Sequence, residues 1–221
     1  MAVENLTLAP FYGVSRNPFN YAKTEQVARD VSTQWLTLEE ITQQLNLFDD
    51  ESQDTYLTSL ELAVRMAVED YLGMSIFMTQ YRVYYANPGL YNTQLYLDLP
   101  EVGVGRKGIT INSVVYYPNI NNPTDCELVT LPNTEYYYDV TGNRLLVNSI
   151  PTTLNQNIDN PIVVTYTVNA NPLAAYPVIK QAGLLLFTHL YNNRSNSVEK
   201  ALQEIPFGFY SLLRPYKTLV M

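Results

Sequence analysis

The spacing of apolar residues changes twice along this chain, and that change limits the possible folds more than any other feature. Between residues 54 and 72 apolar side chains recur every three or four positions, which is the period of an amphipathic helix. Between residues 79 and 168 they fall into short runs rich in Val, Ile, Tyr and Thr, separated by Asn, Pro and Gly, as in β-strands. From Pro177 the helical period returns. The sequence therefore predicts an α+β protein.

Helix boundaries are marked by capping residues. Thr37 and Glu40 have the spacing of a capping box and predict a short helix that ends near Leu45. Asp49 and Asp50 offer a second N-cap, and Gly73 ends the long helix that follows. Pro177 begins a third helix, which runs to Tyr191 or Asn192. Within it, Gly183 is expected to allow close approach to Ala63 and Ala67 of the long helix.

The middle of the chain predicts a small antiparallel sheet or barrel. A tight turn at residues 141–143 should join two of its strands. The predicted strands are Thr79–Tyr85, Gln94–Leu99, Ile109–Tyr117, Cys126–Leu131, Glu135–Val140, Arg144–Val147 and Ile162–Val168.

These elements predict three regions. Residues 37–73 and 171–221 should form a helical bundle body of three main helices and a short C-terminal helix. Residues 74–170 should form an antiparallel β subdomain inserted into that body. Residues 1–36 have no sustained period and predict an extended N-terminal arm, with a short helix near residues 23–31.

Composition narrows the classes of protein to be considered. The chain has 221 residues, 47% of them hydrophobic, which is enough for a substantial core. The single cysteine, Cys126, excludes an intramolecular disulfide and a cysteine-based zinc site, and it fits a reducing compartment. The longest apolar run, residues 182–187, is far shorter than a membrane span. We therefore expect a soluble, unprocessed protein that does not bind a membrane.

Charge is unevenly distributed, and its pattern argues against a nucleic-acid-binding surface. The formal net charge is −8, and residues 37–73 carry nine acidic groups and one basic group. Binding of phosphates depends on clustered Lys and Arg. An acidic surface would repel DNA and so let it pass nearby without binding. The simpler interpretation is that these acidic residues only form a solvated surface.

Residues with catalytic chemistry are scarce. His189 is the only histidine and lies in an apolar helical run, where a packed residue is more expected than a base. Cys126 falls in a predicted strand, and the segment Gly103–Gly108 lacks the spacing and the hydroxyl of a phosphate-binding loop. Capping accounts for the paired carboxylates Glu39 and Glu40. We expect no catalytic residues, no cofactor and no metal.

The C-terminal segment is an apolar cluster in need of a partner surface. Pro206 and Pro215 delimit it, and it contains Phe207, Phe209, Tyr210, Leu212 and Leu213. The cluster could pack on its own subunit or on a neighbouring protein. Arg194 follows the preceding helix, where it either neutralises the helix dipole or forms an ion pair between subunits.

The order of these segments resembles the head–tail connector (adaptor, or head-completion) family of tailed bacteriophages. The resemblance covers about residues 36–217, with longer connections at Pro100–Gly108 and Ile150–Asn160. The motifs that carry it are LTLEEITQQL, DDES, EDYLG, LDLPEVGVGRKGITINSVVYY, EYYYDVTGNRLL, IVVTYTVNA, a Tyr-x-Asn-Arg helix end and IPFGFYSLLRPYK.

The resemblance implies a structural virion protein rather than an enzyme. Such an adaptor is made in the host cytoplasm and forms a ring, usually a dodecamer, beneath the portal protein at the virion neck. The ring joins the capsid to a tail-side neck or stopper protein and continues the channel through which DNA passes. The implied portal or intersubunit residues are Phe207, Phe209, Tyr210, Leu212, Leu213, Arg214, Tyr216, Lys217 and Arg194. The candidate channel-facing acidic residues are Asp49, Asp50, Glu51 and Asp54.

The tyrosines support one alternative function. The chain has 19 of them, several in predicted strands. Aromatic-rich β surfaces can stack on sugars or form protein interfaces. The alternative is therefore a β binding module of a virion protein that contacts host glycan. The helices on both sides of the strands favour the adaptor, because a free-standing sugar-binding module would not need them.

Overall fold

The computed structural model describes residues 20–47, 51–87, 95–100, 108–118, 127–148, 154–169, 175–194 and 207–217. These residues form two compact units. The helical unit contains Asp30–Met78 and the described residues of Ala170–Val220. The β unit contains Thr79–Asn169 and the described residues of Met1–Arg29. The division into an arm, a helical body and a β subdomain at residues 36, 73 and 170 stays a prediction.

Four α-helices lie in the described part of the helical unit, and their ends follow the capping residues. Thr37 Oγ1 accepts a hydrogen bond from the Glu40 amide at 3.2 Å, and the Glu40 carboxylate accepts from the Thr37 amide at 2.9 Å. Gly73 takes the left-handed conformation, with φ of 67°, and ends the long helix. The helices are α1 (Leu38–Leu45), α2 (Asp54–Leu72), α3 (Pro177–Asn192) and α4 (Phe207–Leu213), with short 3-10 turns at Glu51–Gln53 and Arg214–Tyr216.

A tryptophan from the segment before α1 fills the centre of the helical unit. Trp35 is 3% exposed, and a Cβ placed on Gly183 would lie 2.6 Å from its ring carbons. Gly183 therefore makes room for an indole. The expectation that Gly183 faces Ala63 and Ala67 is wrong, because both alanines are exposed. The other buried apolar residues of this core include Leu36, Ile41, Leu57, Val64, Val68, Leu72, Ile179, Ala182, Leu186, Phe187, Phe209 and Leu213.

The prediction of a helical bundle body with three main helices is wrong. Only α2, with 19 residues, and α3, with 16, are long, whereas α1 has 8 and α4 has 7. A helix of two turns is not stable by itself and depends on packing against its neighbours. The core is instead closed by short pieces of chain, namely α1, α4 and the segment that carries Trp35.

The described part of the β unit contains eight strands in two antiparallel sheets. The five-stranded sheet has the order β1-β2-β8-β4-β5, and the three-stranded sheet has the order β3-β7-β6. The strands are β1 (Tyr21–Arg29), β2 (Thr79–Tyr85), β3 (Leu95–Asp98), β4 (Ile109–Tyr116), β5 (Val129–Thr130), β6 (Tyr136–Asp139), β7 (Arg144–Val147) and β8 (Ile162–Val168). Alternate residues of both sheets supply one shared apolar core.

The short helix expected near residues 23–31 is also wrong. Residues 21–29, where the sequence suggested a short helix, form β1 and pair antiparallel with β2, so that Thr24 lies opposite Val83. The helical preference of this segment gives way to pairing with a strand more than fifty residues away in sequence. The β unit therefore takes strands from both sides of α1 and α2 in the chain.

No helix in the described ranges is both long enough and apolar enough to span a membrane.

Candidate interface and channel residues

The C-terminal helix α4 divides its side chains between the core and the surface. Phe209 is 3% exposed and Leu213 is fully buried, while Tyr210 is 40% exposed. Residues 209 and 213 are four positions apart and share one face of a helix, whereas residue 210 lies on another. Leu212 is half-buried against the same core. The side chain of Phe207 lies outside the described residues.

The surface of this segment carries cations beside aromatic rings. Arg214 and Lys217 are exposed. Lys217 Nζ lies 4.9 Å from the centre of the Tyr71 ring on α2, and the Tyr210 ring centre lies 5.2 Å from that of Tyr71. We call Tyr210, Arg214 and Lys217 the C-terminal strip. Tyr216 is half-buried, and its ring makes an edge-to-face contact with the ring of Tyr176.

Arg194 connects the end of α3 to the start of α2. Its Nε donates to the Tyr191 carbonyl at 3.2 Å, as expected of a cation at a helix C-terminus. Its Nη2 donates to Gln53 Oε1 at 2.7 Å. The guanidinium also lies 4.5 Å from the ring centre of Tyr56 and 4.3 Å from that of Tyr191. These contacts are all within one subunit.

The acidic candidates lie at the N-terminus of α2. Glu51 is exposed in the 3-10 turn, and Asp54 is the half-buried first residue of the helix. Helix dipoles favour carboxylates at this position. Asp49 and Asp50 lie outside the described residues. Because Gln53 Oε1 also accepts from the Tyr191 hydroxyl at 3.0 Å, this end of α2 is tied to α3.

A row of buried charged residues on α2 was not predicted from the sequence. Glu61, Arg65 and Glu69 are 2%, 0% and 3% exposed, although the acidic face of this helix was expected to be solvated. Their spacing of four residues places them on one face, which we call the polar stripe. The signal was present in the sequence, since Glu and Arg at i, i+4 and i+8 within an apolar helix predict a shared environment.

The polar stripe holds the backbone of two neighbouring segments. Arg65 donates to the carbonyls of Thr33 (2.6 Å) and Asp30. Glu61 Oε1 accepts from the amides of Trp35 (3.0 Å) and Leu36 (3.2 Å). On the other side, Glu69 Oε1 accepts from the Ile76 amide at 2.8 Å. The stripe satisfies backbone groups that would otherwise be buried at a cost.

Two carboxylates of the helical unit have depressed pKa values. Hydrogen bonds from the side chain and amide of Thr33, and from Ser32, lower the pKa of Asp30 well below its usual range. Burial acts to raise the pKa of Glu40, but hydrogen bonds from Lys180 and Thr37 outweigh it and lower that pKa.

The described part of the chain brings together no group of His, Cys, Asp and Glu that could hold a metal ion. His189 is half-buried in the last turn of α3, and its carbonyl accepts from the Asn193 amide at 3.1 Å. Cys126 and residues 103–107 lie outside the described residues.

Tyrosines also line a groove on the β unit. Its volume is about 360 Å³, and Lys23, Tyr84, Tyr117, Ile158, Asp159 and Asn160 line it. Lys23 donates to Glu25, which also accepts from the Tyr84 hydroxyl at 2.8 Å. The hydrogen bond from Lys23 lowers the pKa of Glu25, and the same bond raises the pKa of Lys23. Lys23, Glu25 and Tyr84 thus hydrogen-bond to one another, which uses many of the donors and acceptors on one side of the groove.

A second group of tyrosines lies on the outer face of the three-stranded sheet. Tyr96 and Tyr137 are 44% and 51% exposed, and both are paired in register with Leu146 on the central strand. Two residues further along, Asp98 and Asp139 are both paired with Arg144. We call these six residues the aromatic platform. Alternating residues of a strand lie on opposite faces, so the platform lies on the side away from the core residues Leu97, Leu145 and Val147.

Comparison with known proteins shows what this fold is similar to. No protein-family model matches the sequence, and no curated protein is significantly similar to it. A chain from the neck of an empty gene transfer agent (GTA) particle, computed with C6 symmetry, is similar with a TM-score of 0.57 at 17% identity. A chain from the neck of a native particle, computed with C12 symmetry, has a TM-score of 0.54 at 14% identity.

A chain from the virion of the native gene transfer agent has a TM-score of 0.57 at 16% identity. Each of the three matches covers 90% of this chain and 97% of the other chain. At these identities the comparison shows a shared fold over nearly the whole length of both chains.

Proposed function

We propose that this chain is a structural protein of the neck of a phage-like virion. Within the neck we assign it the role of adaptor, a subunit that forms a ring under the portal, joins capsid to tail and continues the DNA channel. The observation that carries the proposal is the shared fold with chains of gene transfer agent necks, which covers 97% of each of those chains. The proposal gives the chain no catalytic role.

Ring formation by copies of this chain is supported by the symmetry of those particles. Their necks were computed with C6 and C12 symmetry. A ring of more than two subunits requires a heterologous contact, in which one face of a subunit meets a different face of the next. A dodecamer with a portal on one side and a stopper or other tail-side protein on the other is the arrangement we propose.

The C-terminal strip is the proposed contact with the portal or with a neighbouring subunit. Tyr210, Arg214 and Lys217 are exposed, and interfaces are enriched in Tyr and Arg. Phe209 and Leu213 support the strip from the core beneath it. Phe207, Leu212, Tyr216 and Arg194 complete the proposed set. Glu51 and Asp54, with Asp49 and Asp50, are the proposed acidic residues of the channel, past which DNA moves without specific binding.

Assembly with the portal protein of the same virus tests this function. The two purified proteins are mixed and examined by mass photometry and negative-stain electron microscopy. We expect rings of this chain stacked coaxially on the portal. A chain that stays monomeric in the mixture and has no affinity for the portal would overturn the proposal.

Charge reversal tests the assigned surface. Arg214→Glu with Lys217→Glu should reduce portal-bound rings while leaving the circular dichroism spectrum unchanged, because both side chains are exposed. Lys23→Glu is the matched control, since that side chain is 61% exposed and lies in the β unit. If Lys23→Glu reduced docking equally, the assignment of the C-terminal strip to the interface would be wrong.

A further inference from the structure

The aromatic platform has a regular arrangement of two rows. In the first row Tyr96, Leu146 and Tyr137 lie side by side on β3, β7 and β6. The two tyrosines are two strand spacings apart, which is about 9.6 Å. Leu146, at 6% exposure, fills the space between them. The row therefore presents two partly exposed aromatic rings on either side of a buried leucine.

The second row alternates in charge. Asp98, Arg144 and Asp139 lie side by side on the same three strands. Arg144 Nε lies 3.7 Å from Asp139 Oδ2, and its guanidinium carbon lies 5.4 Å from the centre of the Tyr96 ring. The contact with Tyr96 places the guanidinium on the platform side of the sheet. Asp139 Oδ1 already accepts from the amide and the hydroxyl of Thr141, and Asp98 Oδ2 accepts from the Asn20 amide at 3.3 Å. A guanidinium has five N–H donors and a carboxylate has about four acceptor positions, so Arg144 and Asp98 keep capacity for a ligand.

We propose that the aromatic platform binds a neutral oligosaccharide. A sugar ring has an apolar C–H face that can stack on tyrosine, and hydroxyls that both donate and accept hydrogen bonds. Each of the two exposed tyrosines can stack on one sugar ring of the same oligosaccharide. The charged row can donate to and accept from the sugar hydroxyls.

The charges of the platform favour this ligand over others. Two carboxylates flank the single arginine, so a polyphosphate or another polyanion is repelled. An apolar protein surface would bury the three charged side chains without hydrogen-bond partners from the ligand, which costs free energy. A neutral chain of hydroxyls satisfies the charged row without adding charge. This inference does not depend on the proposed neck function, since the platform lies in the β unit and the C-terminal strip lies in the helical unit.

Titration with defined sugars tests the inference. The ¹⁵N-labelled full chain is titrated with cellotetraose, maltotetraose and chitotetraose, and dextran sulfate serves as the polyanion. We expect saturable shifts of the amides of Tyr96, Tyr137 and Leu146 with at least one neutral sugar and none with the polyanion. Tyr137→Ala should weaken that binding about fivefold or more, and Tyr137→Phe should retain most of it because the stacking ring remains.

Tyr210→Ala is the matched control, since it removes an exposed tyrosine from the helical unit and should leave sugar affinity unchanged. Absence of shifts at the platform with all three sugars would overturn the proposal. Binding that Tyr137→Ala does not weaken would also overturn it. Loss of ring or portal assembly in Tyr137→Ala, without any sugar binding by the parent chain, would make this face a protein interface instead.

Discussion

Gly183 lies so close to the Trp35 ring that no larger residue fits there without a shift. An alanine Cβ would lie 2.6 Å from two ring carbons of Trp35, and that ring is almost fully enclosed. Overpacking a core costs about 1–3 kcal/mol. Because alanine gains about 1 kcal/mol in a helix interior, we expect Gly183→Ala to lower the free energy of unfolding by a net amount of up to about 2 kcal/mol. Urea unfolding followed by circular dichroism measures it.

The same substitution at Gly208 provides the control. The nearest atom there is Leu185 Cδ1, at 3.3 Å, which belongs to the end of a flexible side chain. Gly208→Ala should therefore change the free energy of unfolding by less than about 1 kcal/mol. If both variants lost the same free energy, close contact with Trp35 would not be the cause.

Asp30 and Glu40 make stability depend on acid pH. Their pKa values are lowered in the folded chain by hydrogen bonds from Thr33 and Ser32 and from Lys180 and Thr37, respectively. The unfolded state then binds more protons in acid, so this stabilisation is complete above the unfolded pKa of about 4 and is lost as the pH falls below it. The melting temperature should fall less between about pH 6 and about pH 3 in Asp30→Asn than in the parent chain, as measured by thermal melts. An unchanged drop would contradict the role of Asp30.

Some functional residues could be placed from sequence and others could not. The C-terminal segment was recognised because its aromatic residues are dense and bounded by prolines, and the structure places Phe209 and Leu213 in the core with Tyr210 outside. Trp35 was missed because one isolated aromatic residue has no period. Asp30 was missed for a different reason: its partners are two local hydroxyls and the backbone, which many surface aspartates share.

Among whole elements, locally encoded boundaries were predicted most accurately. The strands Thr79–Tyr85, Arg144–Val147 and Ile162–Val168 are confirmed to the residue, as are the capping box of α1 and the first residue of α3. Each is marked by a local sequence signal, such as a run of β-branched and aromatic residues, a capping box or an N-terminal proline. β1 depends on pairing with β2, across the intervening helices α1 and α2, and no local pattern predicts such a contact.

A single substitution in the polar stripe of α2 should destabilise the protein. Arg65→Met leaves the carbonyls of Asp30 and Thr33 without their buried donor and removes the cation between two buried carboxylates. We expect a loss of about 3 kcal/mol or more in the free energy of unfolding, measured in urea.

Arg82→Met is the matched control for the polar stripe. That side chain is 43% exposed, and its ion pair with Glu25 is 3.9 Å long. Exposed pairs of this kind contribute about 1 kcal/mol or less. A similar loss in both variants would indicate a general effect of removing arginine rather than a role of the stripe.

At the scale of the whole molecule, the described part of the chain has two apolar cores that share no residue. One contains Trp35, α2, α3 and α4, and the other lies within the β unit. The sequence predicted the change from helical to strand period, and hence the α+β class. Residues 20–29 join the sheet, while residues 30–36 join the helices. Membership is decided by tertiary contacts at that boundary.

Separate cores predict separate responses to a local defect. Because each core stabilises the elements that contribute to it, Gly183→Ala should accelerate amide hydrogen exchange mainly in α2 and α3 and leave β8 protected. Val164→Ala, in a fully buried position of β8, should do the reverse. Mass spectrometry of peptides from both variants measures this pattern. Equal acceleration in α2, α3 and β8 in either variant would mean that the two units unfold as one cooperative body, whatever the division of their cores.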